Sequence, residues 1–300
     1  MSILSPLTLA SRQHSKKPRM LVVDDEPDNL DLLFRTFRRD FKVLKAESGI
    51  KALEILSTEG EVAVIISDQR MPEMKGTEFL SKTVPEFPDT VRIILTGFTD
   101  VEDLVEAINA GQVYRYITKP WDPDELKFVV DKASATYDLL KGQSAELHKA
   151  EKQSKMMITV GQIAAQSMQK EAALQYLANG LGEILNADAC ALLLTEENSA
   201  GSYGLADIEK VRADQTVIET IASQSSQALT DIQSNESISS KALYRDGTQC
   251  HLTAPVVYQG NTLGAFSFQW ITPYKTLDDV VQILDLIVPQ IALSLKAAVL

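Results

Sequence analysis

From Met20 onward, short and nearly unbroken apolar runs alternate with amphipathic segments. The runs are Met20–Val23, Phe41–Leu44, Val62–Ile66, Val91–Leu95 and Tyr114–Ile117, and helical patterns lie at about 28–39, 49–57, 76–84, 100–110 and 123–140. A run such as Val62-Ala63-Val64-Ile65-Ile66 has no polar face. Strands of this kind are covered on both sides, which predicts a five-stranded, doubly wound parallel sheet with helices on each face, an α/β fold. Pro27 and Pro123 suit first helical turns, and Gly111 suits a helix end.

The fifth helical pattern has no clear stop. Leu126, Val130, Ala133, Tyr137, Leu140, Ser144 and Leu147 recur at alternating spacings of four and three, the rhythm of a coiled-coil seam. The seam weakens at Glu151 and Ser154, and an apolar phase resumes with Met157, Val160, Ile163 and Ala164. The pattern outruns what one sheet can cover, so it reads as a connector that dimerises the chain. A terminal helix packed on its own domain is the alternative. Beyond it the rhythm changes: a helix over about 157–185, a strand Ala189–Leu194, a helix near 213–229, and a Ser-rich loop Thr230–Ser240. A hairpin follows, Cys250–Tyr258 and Thr262–Trp270 around Gln259-Gly260-Asn261, and then a closing helix over about 277–298. That order predicts an α+β domain with an antiparallel sheet. The expected division is a flexible arm 1–18, a first domain 19–138, a helical linker 139–155 and a second domain 156–300.

Charge narrows the function. Acidic residues outnumber basic ones, 41 to 29, and residues after 150 carry 9 basic against 16 acidic. Neither half has the basic excess that grips a phosphate backbone, so direct DNA binding is not expected. The start of the chain lacks a basic segment before its apolar stretches, and no run approaches the ~20 apolar residues of a membrane span. With only two cysteines, Cys190 and Cys250, no disulfide framework is expected, which fits a reduced cytoplasmic chain.

The chemistry concentrates at the carboxyl ends of the strands, where open parallel sheets place their sites. Asp24 and Asp25 follow the first strand, Asp68 ends the third, Thr96 ends the fourth and Lys119 follows the fifth. Taken singly, each acid has a structural explanation, Asp25 for instance as a helix cap. Taken together, three converging carboxylates repel one another unless a cation neutralises them. Hard oxygen donors beside one amine suit a magnesium ion, and a carboxylate beside that metal can act as a nucleophile toward a phosphoryl group.

The pieces Val22-Val23-Asp24-Asp25-Glu26-Pro27, Ser67-Asp68-Gln69-Arg70-Met71-Pro72-Glu73-Met74-Lys75-Gly76, Leu95-Thr96-Gly97 and Tyr116-Ile117-Thr118-Lys119-Pro120 resemble, in order and spacing, the receiver domain of two-component response regulators. The resemblance covers residues 19–138. It implies a flavodoxin-like fold, with Asp68 as phosphoacceptor and with Asp24, Asp25, Asp68 and the backbone carbonyl of Arg70 as Mg2+ ligands. It also implies Thr96 and Lys119 as binders of the phosphoryl oxygens, Tyr116 as aromatic switch beside Thr96, and a cis Lys119–Pro120 bond. The partner it implies is a sensor histidine kinase or phosphotransfer protein, and the receiver would catalyse only its own phosphorylation and dephosphorylation.

The stretch Leu252-Thr253-Ala254-Pro255-Val256-Val257-Tyr258-Gln259-Gly260-Asn261-Thr262-Leu263-Gly264-Ala265-Phe266-Ser267-Phe268 resembles the central hairpin of GAF domains, and that resemblance covers about 156–300. Such modules bind small ligands or dimerise, and the residues leave the choice open. Cys250 reads as a small core residue beside an edge histidine, His251. Residues 156–300 contain no paired-histidine metal motif, Gly-Gly-acidic cyclase loop or glycine-rich phosphate cradle. A response regulator whose signal passes through a helical connector to a GAF-like sensory or dimerisation domain, likewise a homodimer, is therefore the expectation. The alternative is an enzyme related to cyclic nucleotides, or a transcription regulator, with its output in 156–300.

Overall fold

The computed structural model describes residues 17–97, 113–196, 199–234, 243–244, 247–274 and 277–297. The arm as far as residue 16, the helical pattern at 100–110 and residues 235–240 of the Ser-rich loop lie outside the described residues. The chain divides into two compact units, Met1–Ser144 and Ala145–Leu300.

In the first unit β1 (Arg19–Val23), β2 (Lys42–Ala46), β3 (Val64–Asp68), β4 (Val91–Thr96) and β5 (Arg115–Thr118) form one parallel sheet in the order β2-β1-β3-β4-β5. Alternation along each strand feeds two cores. Met20, Val22, Val64, Ile66, Ile93 and Leu95 face α1 (Pro27–Phe37) and the start of α4 (Pro123–Ala165). Leu21, Val23, Ile65 and Ile94 face α2 (Gly49–Glu59) and α3 (Gly76–Thr83). Pro27 stands at the start of α1, and Ser48 caps α2 by accepting from the Lys51 N–H.

The connector differs in detail from the seam. Leu126, Val130 and Ala133 are buried and Tyr137 packs in the first unit's own core, whereas Leu140 and Leu147 are exposed. Toward the end of α4 the inward residues are Met156, Val160 and Ile163; Met157 and Ala164 face outward. The apolar phase therefore begins one residue earlier than the spacing suggested. The expected helix over 157–185 is also broken: α4 ends at Ala165 and α5 runs Lys170–Ile184, with Ser167 between them in the left-handed region at φ 47.

In the second unit β6 (Ala189–Leu194), β7 (Ala200–Gly204), β8 (Gln227–Leu229), β9 (Cys250–Tyr258) and β10 (Asn261–Trp270) form an antiparallel sheet in the order β7-β6-β10-β9-β8. One face, with Leu192, Leu252, Phe266, Phe268 and Trp270, packs on α5, the end of α4 and α8 (Leu277–Ala297). The other face meets α6 (Ile208–Ala213) and α7 (Gln215–Ser223) through Val211 and Val217. The helix expected near 213–229 is thus shorter: α7 ends at Ser223 and Gln227–Leu229 form β8 instead, while the Asp214 carboxylate caps α7 by accepting from Thr216 and Val217 N–H. Among the described residues α8 is long and apolar enough to cross a membrane by length and composition. No run of the sequence was expected to reach that length. Its Val280, Ile283, Leu284, Ile287 and Ile291, however, are buried within this core.

Candidate functional site

Each site residue stands where a strand of the parallel sheet makes its last ladder bond. The Asp24 N–H donates to the Ala46 carbonyl, Gln69 N–H to Leu95 and Lys119 N–H to Thr96. Asp24 and Asp68 are almost fully buried, and the Lys119 ammonium reaches both, at 3.1 Å from Asp24 Oδ2 and in direct contact with Asp68 Oδ1. The Arg70 N–H donates to Asp68 Oδ2 at 2.6 Å, so each oxygen of Asp68 has a donor. The Lys119–Pro120 peptide bond is cis, as the receiver resemblance implies.

Burial pushes the Asp68 carboxyl above the ordinary carboxylate range, and Lys119 and the Arg70 N–H pull it only part of the way back. Lys119 experiences the same burial, which by itself would lower its pKa. The carboxylates of Asp68 and Asp24 outweigh that effect and keep the ammonium charged.

The structure thus brings Asp24, Asp68 and Lys119 together. Asp25 is exposed, and it does not cap α1, whose N-cap residue is Glu26. Thr96 is buried at the end of β4 and its hydroxyl donates to the Gly97 carbonyl at 2.9 Å. Tyr116 is on β5 with its ring half exposed. Two residues without an assigned role in the sequence reading also shape the site. Asn29, in the first turn of α1, donates through Nδ2 to both oxygens of Asp24 at 3.1 and 3.2 Å. Gly76 lies so close to the Asp68 carbonyl that a Cβ there would overlap it. The loop between β3 and α3 is closed by Gln69, whose side chain pairs with the Thr77 N–H and hydroxyl. An Asn five residues after the acid was the available signal for the first; the second depends on how the loop folds back.

The donor chemistry fits a magnesium ion. Two buried carboxylates against one ammonium leave a net negative charge at this end of the sheet, and the side-chain oxygens are hard donors. Among the described residues no three His, Cys, Asp or Glu side chains cluster closely enough to hold a metal by themselves, so the expected convergence of three carboxylates is reduced to the pair Asp24 and Asp68 around Lys119.

In the second unit Cys250 is a buried core residue, as expected, whereas His251 departs from expectation. His251 is fully buried rather than at an edge, because β8 pairs outside β9. Its Nδ1 is 2.9 Å from the Tyr244 hydroxyl and its Nε2 2.9 Å from Ser267 Oγ, while Thr220 and Thr253 share a hydrogen bond at 2.6 Å. Cys190 is buried, and burial raises its thiol pKa.

Comparison with known proteins adds two family matches. Residues 20–131 match the response regulator receiver domain and residues 169–295 the GAF domain. Among curated proteins, the hydrogenase transcriptional regulatory protein HoxA of Cupriavidus necator is 43% identical over 111 residues, covering 37% of this chain and 23% of that protein. A chemotaxis protein CheY homolog of Campylobacter jejuni is 35% identical over 113 residues, covering 36% of this chain and 86% of that protein. Among solved structures, an adenylate cyclase of Rhodopirellula baltica shares 36% identity over 44% of this chain and 97% of that chain, with a TM-score of 0.43. The chain spans about a quarter of the length of the transcriptional regulators it matches.

Proposed function

The chain belongs to the response regulator receiver family, with a GAF domain after the receiver, and from that premise we propose that Asp68 is its phosphoacceptor, served by a sensor histidine kinase or phosphotransfer protein. The observation that carries the reading is the Lys119 ammonium held between the buried carboxylates of Asp24 and Asp68. An Asp68 oxygen forms a bond to phosphorus while the bond from phosphorus to the donor breaks, its electron pair leaving with the donor. Lys119, already against Asp68, and the Thr96 hydroxyl then bind phosphoryl oxygens, and Tyr116 follows Thr96 as the switch. Asp24, Asp25, Asp68 and the Arg70 carbonyl would hold Mg2+, which when bound neutralises charge between the carboxylates and the phosphoryl oxygens.

The signal passes along α4 to the GAF domain, which acts as a sensory or dimerisation module and not as a catalytic or DNA-binding output. Support for a non-catalytic role is the mutual hydrogen bonding of its buried His251, Tyr244 and Ser267. Support for a homodimer is the exposure of the apolar seam positions Leu140 and Leu147. The chain works in the cytoplasm in this reading. Acetyl phosphate with magnesium should add one phosphoryl group to the wild-type chain, read by intact mass, and none to Asp68→Asn. Equal labelling of the variant overturns the assignment.

A further inference from the structure

At the opposite end of the parallel sheet lies a polar cluster with no part in the site. Lys141, on α4, is 2.6 Å from Glu61 Oε2 and 3.5 Å from Asp89 Oδ2. One turn on, the Ser144 hydroxyl donates to Asp89 Oδ1 at 2.9 Å. The acids are well covered, with side-chain exposures of 22% for Glu61 and 12% for Asp89.

The position of the cluster makes it informative. Apolar packing of α4 on the receiver ends at Ala133 and Tyr137, and Asp138, Leu139 and Leu140 are exposed. Tyr137, Lys141 and Ser144 continue the inward face at helical spacing, so beyond Tyr137 the hold on the helix is electrostatic and polar. Glu61 and Asp89 also lead directly into β3 and β4. Each stands seven positions before a residue of the site, Asp68 and Thr96 respectively. The two strands pair in register from Val64↔Val91 to Asp68↔Leu95, and below them the Thr90 hydroxyl donates to the Val62 carbonyl at 2.7 Å. One rigid pair of strands therefore ties the candidate phosphoacceptor to the two acids that hold the connector.

We propose that Glu61, Asp89, Lys141 and Ser144 form a clamp by which the receiver grips the start of the connector, and that the state of the Asp68 end, carried along β3 and β4, sets how firmly residues 138–144 are held. The coupling half rests on the reading of Asp68 as phosphoacceptor; the grip does not. Grip of this kind is sensitive to ionic strength, because its ammonium is half exposed.

The test is amide hydrogen exchange in the full-length protein, comparing wild type with the near-isosteric E61Q/D89N variant and with K141M. Pairs of this exposure are individually weak, so the expected acceleration in residues 138–144 is about threefold to fivefold at low salt. The difference should vanish at about 0.5 M salt, where the Debye length falls to a few ångströms. Unchanged protection of β3 and β4 establishes that the variants are folded. Identical exchange of 138–144 in wild type and variants at low salt overturns the grip. Acetyl phosphate with magnesium should then alter exchange of 138–144 in the wild type and not in E61Q/D89N, with phosphoryl addition to both checked by intact mass. An equal change in the labelled variant overturns the coupling. Absence of any phosphoryl group on the wild type overturns the Asp68 reading and the coupling with it, while the salt comparison still decides the grip.

Discussion

At the carboxyl end of the parallel sheet, two buried carboxylates share one ammonium and leave a negative charge unbalanced. On one face of the antiparallel sheet, His251, Tyr244, Ser267, Thr220 and Thr253 are just as deeply buried, yet they are hydrogen-bonded to one another. Both regions carry polar groups out of water, which is costly unless those groups are paired. The difference is in what remains after pairing. The first region retains a demand for positive charge, and the partly exposed Lys119 keeps it in touch with solvent. In the second, the buried polar side chains pair with one another, so they act as internal packing. A chemical site and a polar core are thus distinguished by residual charge and access, not by residue type.

The largest effects that could break this comparison come from two glycines. A Cβ at Gly264 on β10 would overlap the Leu193 carbonyl, and one at Gly76 would overlap the Asp68 carbonyl. Neither clash can be relieved by a side chain, so each alanine should cost its own unit about 3 kcal/mol. In the full chain, Gly264→Ala should lower the melting temperature of the second unit and leave phosphoryl acceptance at Asp68 intact, whereas Gly76→Ala should impair acceptance. Equal loss of acceptance in both would mean that the units are not separable. Next in size is His251→Leu, which removes a buried hydrogen-bond partner from both the Tyr244 and Ser267 hydroxyls. Removing one partner of a buried hydrogen bond costs about 1–3 kcal/mol, and here two are affected. Chemical denaturation should show a loss of about 2 kcal/mol or more with acceptance unchanged. A variant as stable as the wild type would mean that these bonds hold nothing together.

The same contrast explains what could be read from the sequence. The three central receiver strands, β1, β3 and β4, were legible because burial on both faces leaves few polar positions inside them, and Asp24, Asp68, Thr96 and Lys119 because each directly ends or follows a strand. Asn29 and Gly76 were not, since their roles come from a helix turn and a loop folding back on the strand ends. In the second unit, β7 reads Ala-Gly-Ser-Tyr-Gly and β8 has three residues; edge strands this short or glycine-rich carry no apolar alternation. Missing β8 is what made His251 look like an edge residue. The connector was legible as one long helix, α4, although its inward positions differ from the seam. Its spacing serves two local cores in succession, Leu126 to Tyr137 in one and Met156 to Ile163 in the other, and a heptad drawn through both spans exposed positions between them.

The smallest expected effect is the one that most sharpens the comparison. In the folded chain Asp68 holds its proton more tightly than an ordinary carboxyl does, through burial first, with Lys119 and the Arg70 N–H opposing. A carboxyl whose folded pKa is raised contributes stability that is fully present below its unfolded pKa and is lost as pH rises through the folded value. At neutral pH the ionised Asp68 therefore costs the receiver stability. Asp68→Asn retains the shape of the side chain and removes the charge, leaving Lys119 its contact with Asp24. With magnesium chelated, the variant should melt about 1–3 °C higher than wild type near pH 7.5, and the gap should close toward pH 4 as the wild-type carboxyl takes up its proton. His251→Leu should instead be less stable than wild type near neutral pH, because it removes satisfied bonds and not a strained charge. Opposite signs at the two positions are what a chemical site and a polar core require. If Asp68→Asn melts lower at pH 7.5, the Lys119–Asp68 pair is a net stabiliser, and the carboxyl end of the sheet belongs with the packing of the antiparallel sheet.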